Sequence, residues 1–128
     1  MDKTSVRTGD FPAPVGPYSP ALGAGGLLFV SGQLGIDPAT GMLEAGVEAQ
    51  AERALLNLRA VLAAAGASTA DVARTTVLLA DMADFRAVNQ VYARFFTEPF
   101  PARAAFAVAG LPLGALVEIE ATAVLGSD

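Results

Sequence analysis

Apolar residues recur along this chain with two periods. Between Val47 and Ala65 they fall at Val47, Ala51, Ala54, Leu55, Leu58, Leu62 and Ala65, the spacing of one helix face, and Gly66 stands where a left-handed cap would end the helix. A second helix is predicted from a cap at Asp81 to about Thr97, with Phe85, Val88, Tyr92, Phe95 and Phe96 on one face and Pro99 beyond its end. Elsewhere the period is two. In the segment Leu116 to Val124, Val117, Ile119 and Ala121 fall on one face of a strand and Glu118, Glu120 and Thr122 on the other. Further strands are predicted at Ser5 to Thr8, Leu27 to Gln33, Ala73 to Leu79 and Arg103 to Val108. Turn chemistry separates them: a proline loop through Pro12, Pro14 and Pro17, a glycine hairpin turn at Gly23 to Gly26, the turn Asp37-Pro38-Ala39-Thr40-Gly41, and the run Gly110 to Gly114.

The resulting order is βββαβαββ, an α+β fold in which two helices cover one face of a mixed sheet. The strands flanking Gly110 to Gly114 are expected to be antiparallel neighbours. The other sheet face is left bare, which predicts burial against further copies of the chain. With no linker, low-complexity tract or clear repeat, residues 1–128 read as one domain.

Composition narrows the chemistry by subtraction. The chain has no His and no Cys, which removes Ser/His triads, thiolate nucleophiles, disulfides and zinc sites of the usual kind. Lys3 is the single lysine and lies near the terminus, so a Schiff-base lysine and a covalently held pyridoxal cofactor are not expected. The net charge of -5 disfavours nucleic acid. No apolar stretch reaches the roughly 18 to 20 residues of a membrane span, and MDKTSVRTGDFPAP has no apolar core of a signal segment, so a cytoplasmic protein is expected.

Against this background Arg103 stands out. It is the one positive charge between Pro99 and the C-terminus, set in the apolar run FPARAAFAV. A guanidinium in dry surroundings needs an anion. Two readings fit: an ion pair with Glu118 across adjacent strands, or Arg103 forking onto a ligand carboxylate while Glu118 or Glu120 handles water or a proton. Asn89 shares the predicted core face of the second helix, where a buried amide would either clamp helix to strand or serve a ligand. Tyr18 in VGPYSPA and Ser31-Gly32 in FVSGQLG place hydroxyls and a close backbone approach in or beside loops. The glycines at 23 to 26 lack the motif of a phosphate loop.

The segments PAR (101 to 103) followed by AAFAVAGLPLGALVEIEA, GPYSPA (16 to 21), FVSGQLGIDPATG (29 to 41) and VNQVYARFF (88 to 96) together resemble the RidA/YjgF family of reactive-intermediate deaminases. The resemblance covers nearly the whole chain. It implies a chorismate-mutase-like α+β fold, a homotrimer with ligand sites between subunits, and hydrolysis of enamine and imine acids to 2-keto acids and ammonia without metal or organic cofactor. By the same resemblance Arg103 binds the substrate carboxylate and Glu118 serves the hydrolytic water. Tyr18, Ser31, Gly32, Asn89 and Ala105 line or organise the pocket, with Ala105 replacing a cysteine of some members and Leu113 a frequent lysine. A non-catalytic carboxylate sensor and an endoribonuclease are the rival functions.

Overall fold

The computed structural model describes residues 2–126. Its elements run β1 (Thr4–Val6), β2 (Ala21–Ala24), β3 (Leu27–Leu34), α1 (Val47–Ala64), β4 (Val72–Leu79), α2 (Phe85–Tyr92), β5 (Ala102–Ala107) and β6 (Val117–Val124), the βββαβαββ order that the periodicities predict. They form a mixed six-stranded sheet in the order β1-β2-β3-β6-β4-β5.

α1 packs over β3 and β6 and against α2. Its apolar stripe is fully buried at Ala51, Ala54, Leu55, Leu58, Val61 and Leu62. The helix ends as its glycine predicts: Gly66 takes φ 78°, its N–H donates to Ala63, and the Ala67 N–H donates to the Leu62 carbonyl. Facing it across the core are Leu28, Val30, Val77, Leu79, Val117, Ile119 and Ala123. The opposite face carries no helix, and four large apolar side chains stand open on it: Leu27, Phe29, Phe106 and Val124, the last 49% exposed.

Two expectations fail. β5 and β6 are not neighbours: β4 lies between them, pairing parallel with β5 and antiparallel with β6. The segment 110–114 is therefore not a tight hairpin but a passage over the end of β4, and α2 makes the crossover that a parallel β4/β5 pair requires. α2 is also shorter than predicted. Asp81 accepts a hydrogen bond from the Ala83 N–H and opens a 3₁₀ turn at Met82–Asp84, and the α-helix stops at Tyr92. Beyond it the Arg94 and Phe95 N–H groups bond three residues back, a tightening that turns Phe96 under the helix, where its ring lies 4.6 Å from that of Tyr92.

β3 is irregular. Val30 pairs with Ala121 but Gln33 pairs with Ile119, so one extra residue is inserted at Ser31-Gly32.

Candidate active site

That bulge builds the floor of a concavity. Ser31 is tied back to the proline loop, its hydroxyl donating to the Ser19 carbonyl at 2.6 Å and its N–H to that of Pro20 at 2.9 Å. Phe11, buried in the core, anchors the start of that loop. The loop is thereby held over the helix-free side of β3 and β6. The open concavity beneath it, about 520 Å³, is lined by Tyr18, Ser31, Gly32, Glu118 and Glu120, with an apolar wall that includes Val15, Ile36 and Leu113.

Glu118 is half-buried here and Glu120 exposed. Burial pushes the Glu118 carboxyl above its usual range, and the neighbouring charge of Glu120 adds to the rise. Gly32 is the residue that admits Glu118: a Cβ at this position would lie 2.7 Å from the carboxyl carbon. The same approach explains why the strand carries glycine at its bulge.

Buried amides that the hydrophobic pattern conceals brace the rim. Asn57, in the core stripe of α1, donates to the carbonyls of Leu34 (3.1 Å) and Ile36 (2.8 Å). Gln50 donates to the Glu44 carbonyl and accepts from the Leu116 N–H at 2.8 Å, just ahead of β6. Both interrupt an otherwise apolar helix face, the one signal in the sequence that could have flagged them.

A second cluster sits at the β5 edge of the sheet, on the helix-covered face. Arg103, on β5, pairs in register with Thr75 and so faces the helices. Its Nη1 donates to the Asn89 side-chain oxygen at 2.6 Å, and its Cζ lies 4.8 Å from the Tyr92 ring centroid and 5.5 Å from that of Phe85. Phe85, Asn89 and Tyr92 stand four and three residues apart on one helix face. Asn89 is exposed, correcting the expectation of a buried amide. Beneath the cluster Tyr92 Oη and Thr75 Oγ1 share a hydrogen bond of 2.8 Å. Burial raises the Tyr92 phenol pKa, against the lowering effects of that bond and of Arg103. Ala105, two residues along β5, is half-buried on the same face opposite Val77.

The structure thus brings Tyr18, Ser31, Gly32 and Glu118 together and Arg103, Asn89 and Ala105 together, but not the two groups with each other. Glu118 pairs with Leu78, three positions along β4 from Thr75, and points to the helix-free face. The expected approach of Arg103 and Glu118 across adjacent strands does not occur within one chain. Among the described residues the ion pairs are Arg53 with Glu44 and Arg94 with Glu52, and Arg103 has no carboxylate partner. Also among them, no three His, Cys, Asp or Glu side chains converge as metal ligands, and no helix is long and apolar enough to cross a membrane.

A mixed six-stranded sheet with both helices on one face and a half-buried acid on the other makes this an α+β domain with its concavity on the bare face. The family model described as Endoribonuclease L-PSP matches residues 8–125. A goat protein named 2-iminobutanoate/2-iminopropanoate deaminase is 51% identical over 122 residues, covering 94% of this chain and 89% of its own. RidA from the Antarctic bacterium Psychrobacter is 46% identical, with a TM-score of 0.88 over 91% of this chain and 94% of that one. The YjgF gene product of E. coli is 42% identical, with a TM-score of 0.90 over 94% and 98%. This chain belongs to the RidA/YjgF family.

Proposed function

We propose that this protein is a cytoplasmic, cofactor-independent deaminase that hydrolyses small 2-imino acids, of the 2-iminobutanoate and 2-iminopropanoate kind, to 2-keto acids and ammonia. Its working form on this reading is a homotrimer in which Arg103 of one subunit closes over the Glu118 concavity of its neighbour. The observation that carries the reading is the split itself. A chain with an unpaired guanidinium on one sheet face and a desolvated carboxylate on the other has two half-sites that complement each other only between copies. The open apolar face with Leu27, Phe29, Phe106 and Val124 supports such packing.

The chemistry follows from the groups. Arg103 takes the substrate carboxylate in its fork, which fixes the position of the adjacent imine carbon. An enamine first moves a proton to carbon and becomes the imine. Water then adds to the imine carbon, forming a C–O bond while the π electrons pass to nitrogen, which is protonated. The carbinolamine collapses as the C–N bond breaks, ammonia leaves and the hydroxyl proton is lost, giving the keto acid. Glu118 accepts the proton from water and returns one to nitrogen; its raised pKa makes it a better base than an ordinary carboxylate when ionised. The apolar wall of the concavity suits a short hydrocarbon side chain.

The endoribonuclease description of the family model has no support from the charges. Within one chain the charged side chains of the concavity, Glu118 and Glu120, are carboxylates, which repel a phosphodiester, and on this reading the neighbouring subunit adds only the single cation Arg103. The test is keto-acid and ammonia release from imino acids generated in situ by an amino-acid oxidase. The parent protein should accelerate both, and Arg103→Ala should lose most of that acceleration; an unaccelerated reaction in the presence of tight 2-ketobutyrate binding would leave a sensor instead of an enzyme.

A further inference from the structure

Resting on the reading of Arg103 as the carboxylate anchor, we infer that Tyr92 is a positioning residue for that arginine, and that Thr75 locks Tyr92 in place. Arg103 projects from β5 at the edge of the sheet and is exposed in the single chain. A long, exposed side chain of this kind samples many rotamers, and a fork that binds a carboxylate in two places depends on holding one. Only one of its N–H groups is bonded among the described residues, the one to Asn89. One hydrogen bond leaves the guanidinium plane free to swing.

The rings remove that freedom. Tyr92 and Phe85 lie within cation–π range of Cζ, so the cation is attracted without consuming its in-plane donors. Those donors stay available for a carboxylate. Tyr92 is the more constrained of the two rings, being 7% exposed. Phe96 packs beside it, and the Tyr92 hydroxyl is bonded to Thr75, which is wholly buried in the middle of β4. Thr75 also pairs in register with Arg103 on one side and Ala121 on the other. A hydroxyl-to-hydroxyl bond inside an apolar core specifies one ring placement, because any other leaves two buried polar groups unpaired. The orientation therefore passes from β4 to the ring of α2, and from the ring to the guanidinium.

The experiment measures 2-ketobutyrate binding by calorimetry, independently of turnover, on the assembled protein carrying Arg103→Ala, Tyr92→Leu, Tyr92→Phe or Thr75→Val. Alongside, NMR records the Arg103 side-chain N–H resonances, which ring currents shift when the aromatic platform is in place. Tyr92→Leu should weaken binding about tenfold, the loss expected of a partly desolvated cation–π contact, and should abolish the ring-current shift. It should raise KM more than it lowers kcat, since the anchor acts on bound substrate and transition state alike. Tyr92→Phe, which keeps the ring but breaks its bond to Thr75, should retain part of the shift and lose about threefold in affinity, as Thr75→Val does. Thr75→Val, which keeps the volume of the core, should lower affinity about threefold and serves as the readout if Tyr92→Leu does not fold. If Arg103→Ala weakens binding while a folded Tyr92→Leu, or Thr75→Val in its place, binds and resonates like the parent, the positioning role is wrong and the anchor stands. If Arg103→Ala binds 2-ketobutyrate as tightly as the parent, the anchor reading falls and this inference falls with it.

Discussion

Gly32→Ala separates the chemistry of the site from its stability. The alanine Cβ would stand 2.7 Å from the Glu118 carboxyl carbon, whereas ordinary contact begins at 3.4 Å, and the carboxylate oxygen lies nearer still. Glu118 must therefore withdraw by about 1 Å, which a general base that has to reach a specific water tolerates poorly; a loss of about 100-fold in kcat/KM is expected. Folding should barely register the change. The clash falls on the far end of a flexible side chain, the glycine φ is one that L-residues adopt, and alanine reduces the freedom of the unfolded chain by about 0.4–1 kcal/mol. The melting temperature should move by less than about 5 °C. Keto-acid release from oxidase-generated imino acid gives the rate, and calorimetry with 2-ketobutyrate should show near-parental affinity, because Arg103 is untouched. Parental turnover in a folded Gly32→Ala protein would refute Glu118 as the proton-handling group.

Three other expectations concern charge and assembly. Glu118 is raised first by burial and then by Glu120, so Glu120→Gln should lower its pKa and carry the acid limb of kcat/KM to lower pH, while an unmoved limb would count against Glu118 as the base. The stability linkage has the opposite sense to that of a paired carboxylate: the folded pKa exceeds the unfolded one, the folded state holds more protons between them, and stability declines as pH rises through that window. Glu118→Gln should flatten the decline, as followed by denaturant titration across pH. On the helix-free face, Phe29→Asp would have to desolvate a carboxylate in any assembly that covers it, at a cost of several kcal/mol. Sedimentation should then show monomers without activity, and an active trimer would remove this face from the subunit contact.

Much of the fold is legible in the sequence because burial on one side leaves a periodic trace. The stripe of α1, its closing glycine and the alternation of β6 all appear in the structure where the pattern places them. Pairing partners leave no such trace. β6 reads as a half-buried strand whether its neighbour is β5 or β4, and the turn residues of 110–114 suit a passage across a strand end as well as a hairpin. The candidate residues were also individually visible, Arg103 by its isolation and Ser31-Gly32 by the hydroxyl and glycine ending an apolar run. Their division into two clusters was not, since a face is assigned only once the register is known. Asn89 misled for a related reason: it falls on the same helical stripe as Tyr92, but α2 lies at the sheet's edge, where only part of that stripe is covered. Asn57 and Gln50 escaped notice because a polar residue in a long apolar helix looks like a boundary position until its backbone partners are in view.

The extra residue in β3 works as a phase shift. Before it the even-numbered positions Leu28 and Val30 point to the core; after it the odd-numbered Gln33 does, opposite Ile119, while Leu34 stands beside Glu118. One strand is thus written in two frames. Its first half obeys the rule that keeps Phe29 outward, and its second half obeys the rule that lines the concavity. A single deletion at this point would restore an unbroken alternation in which Gln33 and Leu34 keep their faces and pairings, and it would remove the bulge itself, so the floor of the concavity depends on a count of residues as much as on their identities.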